Sequence, residues 1–369
     1  LVDPRVTKHA KIIVDYSTRI RKGDNVLIQI SDQGLDLAVE ILRQASRRGA
    51  SCLITSQPVD AAEAYYKNTP NEYLKIFPKH IYSLVKASDV IISIRGEANT
   101  RSLSAIEPSR LSLRSATLEK IQEERMRKRW CLTQHPTFAY AQEADMSYSD
   151  YCDFVYSAIL MDWKREAKKL TILKRFLDNS REIKLEGDGT DLTMKVNGRI
   201  FVVDEAKHNL PGGEIFTAPI EESVDGRIYF DLPAIHSGKE VKDIELEFRS
   251  GKIVSCRASK NIEFLEAMIK TDPGAARVGE FGIGTNMRIN RFTRNILFDE
   301  KIGGTIHLAI GRAYRECRGR NVSAIHWDMI KTMKPGRIVV DGKVIQEDGR
   351  FIWDRISRTS KPKRHNKQE

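Results

Sequence analysis

The run Val26-Leu27-Ile28-Gln29-Ile30 and the two segments that follow it decide how the first half of the chain folds. It is short, almost wholly apolar and preceded by Lys22-Gly23-Asp24, which reads as a strand buried on both faces. Leu35, Leu37, Ala38, Ile41, Leu42 and Ala45 then recur at helical spacing up to Gly49, and Cys52-Leu53-Ile54-Thr55 is apolar again. Strand, helix, strand at this spacing implies a right-handed crossover and parallel pairing.

The same alternation extends outward. Val6, Ala10, Ile13 and Ile20 mark a helix before the first strand. After Pro70 the spacing predicts a helix to about Val85, then a strand over 90–94, another long helix, and the strand Trp130-Cys131-Leu132-Thr133. Residues 1–165 are therefore expected to form an α/β layer domain around a mostly parallel sheet. A helix is expected from about 149 to 179, with Tyr151, Phe154, Val155, Ala158 and Ile159 as its apolar stripe. Beyond it the texture changes to short strands punctuated by Gly-Asp-Gly at 187–189, Asn197-Gly198, Pro211-Gly212-Gly213 and Asp225-Gly226, all read as turns. Residues 166–359 are expected to form a strand-rich α+β domain, and 360–369 a disordered basic tail. No internal repeat is present.

Composition agrees with two soluble globular domains. The chain has 369 residues, 41% hydrophobic and 30% charged, enough apolar material for two cores and too much for a disordered chain. No apolar stretch approaches the roughly 18–20 residues that span a bilayer. Residues 1–16 mix Asp, Arg, Lys and His with apolar residues, so no secretory segment is expected there. The five cysteines form no Cys-x-x-Cys pair and read as free thiols of a reducing compartment, which implies a cytoplasmic location. Of the formal net charge of +11, residues 352–369 hold six Lys or Arg against two acids, so +4 belongs to this end and +7 to the body, where it is expected to lie on the surface.

The chemistry concentrates in the second half. His326-Trp327-Asp328 lies in an extended stretch, where positions i and i+2 face one side and can present an imidazole and a carboxylate together. Taken alone, such a pair is more often the mark of a core histidine with a satisfied partner. His307 sits inside the apolar run Gly303-Gly304-Thr305-Ile306-His307-Leu308-Ala309-Ile310-Gly311, and Tyr314 follows seven residues on, sharing its face if that stretch is helical. The other histidines, His9, His80, His135, His208, His236 and His365, have no acidic partner at useful spacing. The carboxylates tip the balance. Glu214 follows the Pro-Gly-Gly turn, Glu280 lies in Gly279-Glu280-Phe281-Gly282-Ile283-Gly284, and Glu300 lies in Leu297-Phe298-Asp299-Glu300-Lys301. Acids in apolar or glycine-rich surroundings need cations, and four carboxylates, two histidines and a phenol suffice for two metal ions. The glycines at 279, 282 and 284 have the wrong spacing for a dinucleotide fingerprint.

Together, Asn209 to Pro219, Gly279-Glu280 with Gly284-Thr285-Asn286, Asp299-Glu300-Lys301 with Gly304 to Gly311, Tyr314, and Ser323 to Met329 resemble the M29 metallo-aminopeptidases, the aminopeptidase T group. Lys22-Gly23-Asp24, Pro136-Thr137 and Ala141-Gln142-Glu143 extend the resemblance over the first half. It implies a homodimeric exopeptidase acting on peptides with a free N-terminus, with two divalent ions per chain (Zn, Co or Mn). The implied ligands are Glu214, Glu280, Glu300, His307, His326 and Asp328, with Glu280 bridging and Tyr314 at the metal centre. Glu280 and Tyr314 are the implied catalytic residues, the tyrosine as a donor to the oxyanion. Glu280 and Glu214 both remain candidates for carrying the proton to the leaving amine. Glu300 precedes His307 by seven residues, two more than in the bacterial members of the group.

Two other readings stand beside this one. The same architecture resembles iron-dependent, ring-cleaving dioxygenases of dihydroxypyridine, which keep the His-x-Asp pair and hold one metal. A nucleic-acid-binding protein with a vestigial site is the third, on the strength of Arg125, Arg127, Lys128, Arg129 and the basic tail. Glu119, Glu123 and Glu124 precede the first of these clusters on one expected helix, which favours a salt-bridged face and argues against a nucleic-acid partner.

Overall fold

The computed structural model describes residues 3–236 and 238–359; the expected basic tail and His365 lie outside the described residues. Contacts divide the chain into two compact units, Leu1–Trp163 with Glu205–Gly212, and Lys164–Asp204 with Gly213–Glu369.

The first unit is built on a parallel sheet, as the β-α-β reading requires. Its strands run in the order Ser51–Ser56, Asn25–Ile30, Val90–Arg95, Arg129–Gln134, and the short Asn209–Leu210 returns to pair in parallel with the last. Leu27 and Ile91 on one face pack with Val85 and Ile121 from two of the connecting helices. The helix expected from Pro70 to Val85 is two, Asn71–Leu74 and Lys79–Ala87. Pro78 lies between them, has no N–H to donate, and disfavours helical geometry at Phe77. The long helix expected over 149–179 is also two, Tyr148–Ile159 and Trp163–Leu177. The Trp163 indole N–H donates to the carbonyl of Ile159 at 2.8 Å, occupying an acceptor that a continuing helix would use.

Two histidines of this unit have partners that spacing did not suggest. His9 is fully buried and its Nε2 donates to Thr133 Oγ1 at 2.8 Å, while that hydroxyl donates to the Leu210 carbonyl. His135 Nδ1 lies 3.6 Å from Asp36. The basic cluster at 125–129 is spent internally. Arg125 donates to Ser93 Oγ, Lys128 and Arg127 pair with Glu124, and Arg129 binds Asp24 at 2.6 Å.

The second unit is strand-rich. An eight-stranded sheet, antiparallel at every pairing, runs in the order Lys252–Arg257, Ile244–Arg249, Asp225–Phe230, Thr190–Lys195, Glu182–Gly187, Gly336–Val340, Lys343–Glu347, Arg350–Phe351. A second sheet of five strands shares its core. Leu185, Leu192, Ile228, Phe230, Leu246 and Ile338 from the first sheet and Ile215, Phe281, Ile306, Leu308 and Trp327 from the second form one buried cluster. The Gly-Asp-Gly segment makes the expected hairpin, with Gly189 at φ +60°. Asp225-Gly226 does not form a turn. It opens the Asp225–Phe230 strand, where Gly226 takes φ +112° and a Cβ would meet the Asp191 carbonyl at 2.1 Å.

Candidate metal centre

The five-stranded sheet carries every candidate except Glu300 and Tyr314. Its antiparallel order is His326–Thr332, Thr305–Gly311, Val278–Gly284, Glu214–Thr217, Val202–Asp204. On one face the odd-numbered Phe281, Ile283, Trp327 and Met329 and the even-numbered Ile306, Leu308 and Ile310 enter the core. The two-residue period then sends Glu280, His307, His326 and Asp328 to the other face. Register sets their rows: Glu280 opposes Ala309, which opposes Asp328; Gly282 opposes His307; Gly311 opposes His326; and Gly284 opposes Glu214, which opposes Asp204. Glu214, Glu280, His307, His326 and Asp328 each face a glycine or alanine on one neighbouring strand, which leaves space beside each donor.

The space is tight. A Cβ on Gly282 would lie 2.0 Å from His307 Nε2 and 2.1 Å from Cε1, so only glycine lets the imidazole lie across this strand. Gly213, in the Pro-Gly-Gly turn, has φ +114° and a Cβ there would meet Asn286 Cβ at 2.6 Å.

His326 and Asp328, at i and i+2 of one strand, bring Nε2 and Oδ1 to 3.7 Å. Glu280 reaches both imidazoles, with Oε1 3.2 Å from His307 Nε2 and Oε2 3.4 Å from His326 Nε2. His326 Nδ1–H donates to the Arg312 carbonyl at 2.8 Å, which turns Nε2 toward the carboxylates. Glu214 Oε2 stands 3.7 Å from His307 Nε2. Burial works against the charge on Glu280, but bonds from His307 and His326 outweigh it and hold the carboxyl at about 2. Burial likewise opposes the imidazolium forms, and the facing carboxylates outweigh it, bringing both histidines to about 9. Burial lifts Asp328 to about 6. It also pushes Glu214 well above the usual range, with the Glu300 charge adding to it. The cluster thus calls for positive charge. Glu280, His326 and Asp328 offer ligand atoms all within 4.8 Å of one another, and imidazole nitrogen with carboxylate oxygen suits a divalent ion.

Lys301 and Asp204 escaped the sequence reading. Lys301 is 0% exposed, its ammonium 3.2 Å from Glu214 Oε1, 3.5 Å from Asp204 Oδ2 and in contact with Glu300. Burial pulls its pKa down, and the three carboxylates outweigh that and raise it. The available signal was a lysine between apolar and glycine-rich segments that already hold unpaired acids. Glu300 caps the one-turn helix Ile296–Asp299 and turns to Lys301. The adjacent Asp299 is structural: it accepts from Thr293 N, Thr293 Oγ1 and Asn295 N. Tyr314 is not on a helix with His307, because the strand ends at Gly311 and Tyr314 follows in a loop before a single 3₁₀ turn. Its ring still arrives 5.0 Å from the His326 ring and 5.8 Å from that of Phe216. Burial, with the charges of Glu280, Asp328, Glu300 and Glu214, raises its pKa and keeps the phenol protonated.

Comparison with known proteins identifies the family and the fold. The chain is 24% identical to Aminopeptidase 2 of Geobacillus stearothermophilus, covering 89% of this chain and 92% of that one. It is 24% identical to aminopeptidase AmpS of Bacillus subtilis, covering 92% and 96%. Among solved structures, AmpT from Thermus thermophilus superposes with a TM-score of 0.83 at 20% identity, over 95% of this chain and 99% of that one. The 2,5-dihydroxypyridine dioxygenase of Pseudomonas putida shares the fold at a TM-score of 0.64 and 14% identity, over 96% and 98%. Residues 2–351 match the profile of one family, and the chain belongs to it: the thermophilic metalloproteases, M29.

Proposed function

We propose that this protein is a metal-dependent aminopeptidase that hydrolyses the first peptide bond of peptides with a free N-terminus. The observation that carries this is the convergence of Glu280, His326 and Asp328, beside His307, on one face of a buried sheet in an M29 chain. Glu280, His326 and Asp328 would hold the metal, with His307 and Glu214 at its margin. A bound divalent ion supplies Lewis-acid polarisation of the scissile carbonyl and a coordinated water of lowered pKa.

The chain's own groups divide the remaining work. Glu280, held anionic between two histidines, positions both imidazoles. Glu214, whose pKa is raised, is the better suited of the two carboxylates to take a proton and pass it to the departing amine. Tyr314, beside His326, keeps its O–H and can donate to the developing oxyanion. Three carboxylates share the single ammonium of Lys301, which leaves negative charge to attract the substrate's α-amino group.

The test is hydrolysis of leucine amide and of its N-acetylated twin by metal-loaded protein. Cleavage of the free amine alone, abolished by a chelator, is expected; equal cleavage of both ends the exopeptidase reading. A homodimer and a cytoplasmic location belong to the same proposal, and light scattering on the purified protein checks the first.

One observation favours a second reading. Glu280, His326 and Asp328 form one three-donor group, as a mononuclear iron dioxygenase acting on a dihydroxypyridine requires. Dioxygen uptake with that substrate by iron-loaded protein, without release of an amino acid from leucine amide, would establish it.

A further inference from the structure

The two-ion centre implied by the resemblance and the observed side chains disagree at one point. A second ion needs free carboxylate oxygens on the Glu214 and Glu300 side of the cluster. There, Lys301 places its ammonium 3.2 Å from Glu214 Oε1, in contact with Glu300 and 3.5 Å from Asp204 Oδ2. The lysine is 0% exposed, so its four methylenes are enclosed by protein and the head group has no solvent into which it can swing. A dication sharing these oxygens would face a fixed positive charge at close range in a buried site. On the other side, Glu280, His326 and Asp328 converge, and among the described residues no lysine or arginine is an ion-pair partner of theirs.

We infer that the Lys301 ammonium takes the place of a second metal ion, so that the centre holds one divalent cation, at Glu280, His326 and Asp328. Glu214 then spans the two halves, with Oε1 on Lys301 and Oε2 facing His307. This deepens the aminopeptidase proposal, on which it rests for the use of metal at this site. It also means that metal count does not separate peptidase from oxygenase, whereas substrate does.

The experiment counts metal. Full-length protein is stripped with a chelator, reloaded with Zn²⁺ or Mn²⁺, passed through gel filtration and analysed by inductively coupled plasma mass spectrometry, with isothermal titration in parallel. One ion per wild-type chain is expected. Lys301→Met should take a second, because Glu214, Glu300 and Asp204 lose their cation. Should that variant fail to fold, Glu300→Gln provides an independent arm. Its count stays at one if the lysine is the second cation, and falls from two to one in a true two-ion centre. Two retained ions in the wild type overturn the inference, as does folded Lys301→Met that still takes one. Two ions with leucine amide cleavage would leave the aminopeptidase reading standing alone; one ion without cleavage would leave only this inference standing.

Discussion

Gly282→Ala probes the arrangement of the site more directly than removal of any donor. The added methyl would sit 2.0 Å from His307 Nε2, whereas ordinary contact begins at 3.4 Å, so the ring has to withdraw by about 1.4 Å. The surrounding strand offers little relief, since all seven residues of Val278–Gly284 are buried. Such a shift breaks the 3.2 Å contact of His307 with Glu280 and loosens the carboxylate that also holds His326. Overpacking a buried site costs about 1–3 kcal/mol. For a domain of this size that is a fall of roughly 2–12 °C in melting temperature. Misplacement by about 1 Å costs on the order of a hundredfold in rate. We therefore expect a folded variant with kcat/KM on leucine amide down at least about a hundredfold and weaker metal binding by titration. Gly198→Asn is the control, because nothing lies within 4 Å of a Cβ there and asparagine tolerates φ +76°. Gly282→Ala with kcat/KM within threefold of wild type and unchanged metal affinity would refute the reasoning.

Other perturbations give separate checks. Glu280→Gln removes the charge shared by His307 and His326, and is expected to abolish hydrolysis and lower metal occupancy; near-normal turnover would remove Glu280 from the centre. Tyr314→Phe should lower kcat on leucine amide about tenfold or more while leaving metal content unchanged, and an unaltered kcat would exclude the phenol as an oxyanion donor. His9 tests linkage in the first unit. Burial, then the charge of His135, depresses its pKa from 6.5 to about 3. The unfolded chain therefore binds the proton that the folded chain refuses, and this contribution to stability is present above pH 6.5 and is lost as pH falls toward 3. Denaturant melts should show a shallower pH dependence in that window for His9→Gln than for wild type, and parallel curves would contradict the assignment.

Much of the fold was legible because burial leaves local marks. The parallel sheet was readable from Val26 to Thr55 because the central strand Asn25–Ile30, covered on both faces, is apolar nearly throughout, and the helix after it leads back to Ser51–Ser56, an edge strand with Leu53 50% exposed. Both helices that the sequence reading made too long, at Pro70 to Val85 and at 149–179, were read by period alone. A local breaker, Pro78, and a side-chain acceptor swap, Trp163 on Ile159, decided their ends. Asp225-Gly226 was misassigned because a glycine needed for close strand approach looks the same as one needed for a turn.

By itself, the sequence determined the two textures of the chain; it nominated Glu214, Glu280, Glu300 and His307 because polar groups inside apolar or glycine-rich runs are costly unless compensated, and His326 and Asp328 because i and i+2 share a strand face. Only the tertiary structure decided who compensates whom. The rows Glu280–Ala309–Asp328 and Gly282–His307 depend on strand register, which the core-facing residues on the opposite side of the sheet impose across long stretches of chain. Lys301 shows the difference best. Beside Glu300 in sequence it looks like an ordinary surface pair. Enclosed with Glu214 and Asp204 from two neighbouring strands of the sheet, it becomes the fixed cation of one half of the site.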